Sequence, residues 1–447
     1  MEAIRGRIAG RKLVAGSRLP SVRVQAQTMG VSVSTVVEAY DRLVAEGVIR
    51  SHPGAGFYVS GSPAPLSLAE VAPKRARSVD PLWISRQSLE ARQGTLMPGC
   101  GWLPSSWMFE AGIRRALRTL ARGESADLVD YGSPLGFEAL RQILSRRLLT
   151  YGVEAPAGQI LLTESGTQAI DLVCRLLLEP GDTVLVDDPC YFNFHALLKA
   201  HRAKAVGVPY TPAGPDLDAF AAALRDHAPR LYITNSAIHN PTGAVLSPAI
   251  AHQLLKLAEA ADIVIVEDDI FADFEDVPAP RLAAFDGLAR VIQIGSFSKA
   301  LSAAVRCGYI AARPDWIDNL ADLKIATSFG GGRLASEILA SALTDGSYRR
   351  HMEAVRWRLA DAREKVIRRL APLGIEPWMR PPAGMFLWCR LPGEQDAADL
   401  ARACLEHGVI LAPGNAFSLS QSARSFLRFN VAQCDDERVF QVLGMVL

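Results

Sequence analysis

The chain has 447 residues, a formal net charge of +1, and 49% hydrophobic against 21% charged residues. That suits two or three globular domains, and it excludes a disordered chain or one that holds nucleic acid through bulk charge. The seven cysteines (Cys100, Cys174, Cys190, Cys307, Cys389, Cys404 and Cys434) are odd in number and scattered, with no Cys-x-x-Cys pair, which argues against a disulfide framework or a zinc site. No apolar run approaches the roughly 20 residues of a membrane helix, and the opening MEAIRGRIAGRK lacks an apolar signal core, so a cytoplasmic protein without membrane association is expected.

Charge is regional. Residues 1–60 carry Arg5, Arg7, Arg11, Lys12, Arg18, Arg23, Arg42 and Arg50 against Glu2, Glu38, Asp41 and Glu46. Leu19-Pro20-Ser21 ends a turn and starts a helix to about Met29, and Gly30 stops it. Ser32 or Ser34 then caps a second helix with Val36, Val37, Tyr40, Leu43 and Val44 at helical spacing. Val48–Arg50 and Phe57–Val59 read as strands around a hairpin tip, His52-Pro53-Gly54-Ala55-Gly56. Helix, tight turn, helix and Gly-rich hairpin make a winged helix-turn-helix, whose second helix offers its start to a major groove. The run LPSVRVQAQTMGVSVSTVVEAYDRLVAEGVIRSHPGAGFYV resembles the GntR-type winged-helix domain. The resemblance implies that Arg23, Ser32, Ser34 and Thr35 contact double-stranded DNA, with the wing at Gly54 and Gly56. Val33 and His52 depart from it, each standing where relatives frequently carry arginine. The first helix begins short, as in a chain whose start is truncated or misassigned.

Residues 61–81, SPAPLSLAEVAPKRARSVDP after Gly61, mix Pro, Ser and Ala with the basic run Lys74-Arg75-Ala76-Arg77 and read as a linker. From Gln159 onward, seven strand-length apolar runs (159–163, 183–186, 205–208, 231–234, 263–266, 291–294 and 309–311) are spaced by segments that include helices such as Gln168–Leu178 and Ser247–Ala260. Continuous apolar strands between helices predict a mainly parallel, seven-stranded α/β sheet covered on both faces, with ligands beyond the strands' carboxyl ends. After about Leu323 the pattern changes to a long amphipathic helix, Ser347–Leu370, and shorter strands at Met385–Leu391, Val409–Leu411 and Ser425–Val431. This gives a C-terminal domain over 82–447: a large part, about 120–323, and a smaller α/β part, about 324–447 with 82–119.

Polar residues recur at the strand ends: Ser165-Gly166-Thr167-Gln168, Pro189-Cys190-Tyr191, His239-Asn240-Pro241-Thr242-Gly243, Glu267-Asp268-Asp269, and Gly295-Ser296-Phe297-Ser298-Lys299 with Arg306 beyond. Each has a task if the ligand is a phosphorylated pyridine aldehyde. Amides at Gly166, Thr167 and Gln168, the hydroxyls of Ser296 and Ser298, and Arg306 suit a phosphate. Tyr191 suits stacking, Asp268 a pyridinium nitrogen, Asn240 the ring oxygen, and Lys299 the aldehyde as a Schiff-base amine. Taken singly, each has a plainer reading: Asp268 and Asp269 as helix caps, Tyr191 as core, HNPTG as a turn, and Arg428 paired with an acidic residue.

The segments PGCGWLP, YGSPLGFEALR, TESGTQAIDL, DDPCYFNF, HNPTG, VEDDIFADF, GSFSKALSAAVRCGY, PAGMFLW and FLRFNVA resemble the fold-type I, aspartate-aminotransferase-like enzymes over about Leu96 to Leu447. The resemblance implies pyridoxal 5'-phosphate bound through Lys299, Arg428 as binder of a ligand carboxylate, and Tyr131 reaching the phosphate of a neighbouring subunit in a homodimer. Phe271 departs from it, since many relatives carry tyrosine there. The two halves together resemble the MocR (GabR-like) bacterial regulators. That implies transcription control through an operator, gated by the cofactor and an amino acid or amine. The alternative is a working aminotransferase that carries its own DNA-binding domain.

Overall fold

The structure is a computed structural model that describes residues 1–10, 12–60, 82–122 and 131–447. The expected linker, 61–81, lies outside the described residues. The chain divides into two compact units, Met1–Ala76 and Arg77–Leu447.

The first unit contains helices α1 (Glu2–Ala9), α2 (Val22–Met29) and α3 (Val33–Ala45), then strands β1 (Ile49–His52) and β2 (Gly56–Val59). Local chemistry sets these boundaries. Ser21 caps α2 by accepting from the Val24 amide, Gly30 ends it in the left-handed conformation, and Ser32 caps α3 through the Thr35 amide. Val36, Tyr40 and Leu43 turn inward against Ile4, Leu19, Ala26, Ile49 and Val59, and the Tyr40 hydroxyl donates to the Pro20 carbonyl at 3.0 Å. The hairpin is tighter than its sequence suggested. His52 pairs with Gly56 and meets Tyr58 edge-on at 5.2 Å, so only residues 53–55 form the tip.

In the second unit the large sheet runs β3 (Ile160–Thr163), β10 (Gly308–Ala311), β9 (Val291–Ser296), β8 (Val264–Asp268), β7 (Leu231–Thr234), β4 (Thr183–Asp188), β5 (Lys204–Thr211) and β6 (Gly214–Pro215). The pairs β9–β8, β8–β7, β7–β4 and β4–β5 are parallel. Strand β10 is antiparallel to both neighbours, so β3 runs in the same direction as β9. All seven expected strands form. The eighth, β6, is a two-residue return paired with Tyr210 and Thr211, too short to leave a periodic signal. Both faces are covered, by two apolar clusters that share alternate residues of the same strands: Leu185, Tyr232 and Ile265 on one side, Val186, Ile233 and Val266 on the other.

A second sheet holds β11 (Glu376–Pro377), β12 (Phe386–Arg390), β14 (Phe426–Asn430) and β13 (Ala412–Pro413), beside the helix Ser347–Leu370. The expected strand Val409–Leu411 is corrected here. The ladder to β14 starts at Ala412, whereas residues 408–410 exchange hydrogen bonds with Leu96 and Gly99. That pairing ties the segment before residue 101 to the second sheet, beneath the carboxyl ends of β7, β8 and β9.

Candidate active site

Lys299 lies in the turn after β9, partly buried, and donates from Nζ to the Gly101 carbonyl at 2.7 Å. It shares a cavity with Cys100, Gly101, Tyr191, Asn240, Phe271, Phe386 and Arg428. Burial, then the cationic Arg428 guanidinium, lowers its pKa from 10.5 to about 8, although Cys100 and Asp268 act in the opposite sense. Gly101 keeps this space open: a Cβ there would stand 3.5 Å from Lys299 Nζ and 3.9 Å from Arg428 Nη2.

Arg428, in the centre of β14, is 1% exposed. Its Nη1 donates to Asn240 Oδ1 at 2.9 Å and its Nη2 to the Gly99 carbonyl at 2.8 Å, while Nε has no partner. Phe386 and Phe417 lie 4.1 and 4.8 Å from the guanidinium carbon. Among the described residues no carboxylate forms an ion pair with it, and burial lowers its pKa to about 10. The plainer reading, a C-terminal ion pair, does not hold. Since Arg428 occupies Asn240 Oδ1, the Asn240 amide nitrogen is the group left for a ligand oxygen. The Asn240 loop is fixed by His239, whose ring stacks on Tyr210 at 3.8 Å and whose Nδ1 meets Thr242 Oγ1 at 2.7 Å.

The two adjacent aspartates at the end of β8 separate sharply. Asp269 is held by Arg281 through two 3.1 Å bonds and by Gln293 at 3.0 Å, a structural pairing. Asp268 is just as buried, accepts from the Ile270 amide at 3.3 Å on its carboxylate, and forms no ion pair among the described residues. Burial raises its pKa to about 7, against the smaller opposing pull of Asn235 and the Ile270 amide. Tyr191 is partly buried beside Phe192 and Phe194, and Phe271 stands edge-on to Phe386 at 5.5 Å. A partly buried amine, a buried guanidinium and a buried carboxylate thus lie together with no ion pair among the described residues. This fits a ligand that brings an aldehyde, a carboxylate-bearing amine and a cationic ring nitrogen.

Helix Gly166–Leu177 starts beside Ser296: a Cβ on Gly166 would lie 3.3 Å from Ile270 and 3.8 Å from the Ser296 Cβ. Ser296 Oγ bonds to Ser298 Oγ at 3.1 Å, and Arg306 follows in a left-handed conformation, φ 38°. One expected donor changes role. The Gln168 amide is taken by the Ser165 hydroxyl at 3.0 Å, and its side chain accepts from the Glu164 amide, which leaves Gly166 and Thr167 as the helix-start amides for a phosphate. Tyr131 is 81% exposed and meets the 67% exposed Phe329 edge-on at 5.1 Å, and it is not among the residues that line its own chain's cavity.

The short helix α4 (Trp83–Leu89) was not foreseen as part of the site. Ile84, Ser85 and Ser88 line the cavity, and the buried Ser88 hydroxyl has no partner among the described residues. A serine on a seven-residue helix carries no motif, so nothing in the sequence marked it. A larger, more open groove, lined by Met97, Leu103, Met108, Ile113 and Leu301, has no amine or guanidinium on its walls, so the chemistry belongs to the smaller cavity. In the first unit, Arg23, Ser34 and Thr35 are exposed, and Ser32 is engaged as the cap and bonded to both Ser34 and Thr35 at 2.8 Å. Gly54, at the hairpin tip, and Gly56, the first residue of β2, take φ of 76° and 102°. Among the described residues no cluster of metal ligands and no helix long and apolar enough to cross a membrane occurs.

Residues 106–446 match the family model for aminotransferase class I and II, and residues 1–59 match that for bacterial regulatory proteins of the gntR family. The chain is 30% identical to the uncharacterized HTH-type transcriptional regulator YdcR of Escherichia coli (strain K12), over 99% of this chain and 96% of that one. It is 28% identical to the probable rhizopine catabolism regulatory protein MocR of Rhizobium meliloti, over 92% and 85%. Among solved structures it resembles LysN, an alpha-aminoadipate aminotransferase from Thermus thermophilus, with a TM-score of 0.74 and 25% identity over 81% of this chain and 94% of that one.

Proposed function

The chain belongs to the MocR-type transcriptional regulators, a gntR DNA-binding domain joined to a class I and II aminotransferase domain that uses pyridoxal phosphate, and we propose that it senses an amino acid through Lys299. The observation that carries this reading is the pairing, in one cavity, of an amine shifted to a pKa of about 8 with a buried guanidinium that no carboxylate pairs among the described residues.

Bound pyridoxal phosphate supplies an electrophilic aldehyde and an electron-withdrawing ring. Lys299 would be the amine that anchors it. Asp268 keeps the ring nitrogen protonated, Asn240 donates to the ring oxygen, and Tyr191 covers the ring face. Gly166, Thr167, Ser296, Ser298 and Arg306 hold the phosphate, with Tyr131 of a second copy completing it in a homodimer. Arg428 would take the ligand's carboxylate through its remaining donors, with Ser88 lining the same cavity. The ligand alters DNA binding only to the extent that it prefers one state of the protein over the other.

The test adds amino acids to the yellow holoprotein and follows its visible band with and without a 2-oxo acid, alongside DNA binding. A band shift without turnover, coupled to a change in DNA affinity that Lys299→Ala abolishes, supports the sensor. Sustained turnover that depends on the 2-oxo acid identifies instead an aminotransferase carrying a DNA-binding domain. DNA binding that responds to cofactor equally in Lys299→Ala overturns gating through this lysine.

A further inference from the structure

The start of α3 is the part of a winged helix-turn-helix that faces base edges, and here it is unusually apolar. Val33 and Val37, one helical turn apart, are 49% and 42% exposed, on the flank of the face that buries Val36, Tyr40 and Leu43. Burying valine methyls is worth more than exposing them, and the unit's own core does not use these two.

The polar groups around them are partly engaged with one another. Ser32 caps the helix and bonds to the hydroxyls of Ser34 and Thr35, and Glu38 is bridged by Arg42 at 2.6 Å. From Val31 to Glu38 there is no Arg, Lys, Asn or Gln. Those are the side chains that grip guanine or adenine edges in two-point fashion. In the major groove the apolar feature distinguishing one base pair from the others is the 5-methyl group of thymine.

We propose that α3 reads its operator by apolar contact, with Val33 and Val37 each packed on a thymine 5-methyl group. The proposal rests on the DNA-binding reading of this domain and adds the base chemistry that it selects. Arg23, exposed on the neighbouring α2, contributes phosphate contact and therefore orientation without sequence choice.

The test selects duplexes from a random library with the full-length protein, then replaces each thymine of the enriched motif by deoxyuridine, which removes one methyl and nothing else. At two positions per half-site, each replacement is expected to weaken binding about fourfold, the worth of one buried methyl. Val33→Ala is expected to erase the deoxyuridine effect at one of these positions, and Val37→Ala at the other, as a coupled pair requires. Both side chains are exposed, so neither change touches the unit's core. Val33→Arg is expected to shift the selected base at its position to guanine. A motif without thymine, or deoxyuridine effects that persist unchanged in both alanine variants, overturns the proposal while leaving DNA binding intact. Failure to enrich any duplex overturns the DNA-reading premise along with it.

Discussion

Arg428 and Asn240 meet at 2.9 Å across the two sheets of the second unit, 188 residues apart in sequence. The bond spends the Asn240 carbonyl oxygen on the guanidinium, which aims the amide nitrogen of one residue and the remaining donors of the other into the same cavity. Hydrogen bonds to charged groups are worth about 1.5–3 kcal/mol. Arg428→Ala is therefore expected to weaken binding of α-amino acids about 10- to 150-fold, measured by titrating the visible band of the holoprotein. Amines that lack a carboxylate are expected to change less than about threefold, since they never engaged the guanidinium. Equal losses for both ligand classes would sink the assignment.

Lys299 supplies a pH dependence. Its folded pKa of about 8 lies below the ordinary 10.5 because burial and Arg428 disfavour the charged amine. The neutral amine is the nucleophile, so the rate at which cofactor-free protein takes up pyridoxal phosphate rises with pH. The neutral fraction grows from about a tenth at pH 7 to about nine-tenths at pH 9. Stopped-flow uptake is expected to show a midpoint near 8 in the wild type. Removing the Arg428 cation moves that midpoint upward, and a midpoint near 10 in both proteins contradicts the electrostatic account.

Much of this site was legible because parallel strands buried on both faces appear as uninterrupted apolar runs, with polar groups left at their ends. Lys299, Asn240 and Asp268 came from that pattern, whereas Arg428, in the middle of β14, came only from the family resemblance. What escaped it depended on particular side-chain and backbone contacts that no apolar pattern encodes. Asp268 and Asp269 look alike until Arg281 and Gln293 fold back onto only one of them. Gln168 counts as a phosphate donor until Ser165 is seen to occupy its amide. Val409–Leu411 is apolar enough for the second sheet, yet its backbone partners lie at residues 96–99. Ser88 became visible only when α4 was placed over the cavity.

The same aspartate pair predicts opposite stability effects. Arg281 is 1% exposed and bridges Asp269 and Glu275, so Arg281→Met leaves two buried carboxylates uncompensated. The expected cost is about 3–5 kcal/mol, read as a lower denaturant midpoint. Asp268→Asn behaves differently. With a folded pKa of about 7 against 3.8, native Asp268 binds more protons than its unfolded counterpart between about pH 4 and pH 7. Its contribution therefore makes the cofactor-free protein less stable as pH rises through that window. Asp268→Asn is expected to flatten this slope and leave the pH 7 midpoint equal or higher, while weakening cofactor retention. A loss of stability at pH 7 comparable to that of Arg281→Met would assign Asp268 a structural role instead.

Phe271 lines the cavity with Lys299 and Asn240, 3% exposed and edge-on to Phe386. A phenylalanine here offers the cofactor's ring oxygen no donor, which in the proposed site leaves that contact to Asn240. Phe271→Tyr adds one. A hydrogen bond to the ring oxygen favours its anionic state, which lowers the pH at which the visible band of the holoprotein changes form. One such bond, about 1.4 kcal/mol, corresponds to about one pH unit. The expected result is a spectrophotometric midpoint about one unit lower in Phe271→Tyr, with cofactor still bound. An unchanged midpoint would mean that the new hydroxyl points away from the ring oxygen and that Phe271 tunes the site through packing on Phe386 alone.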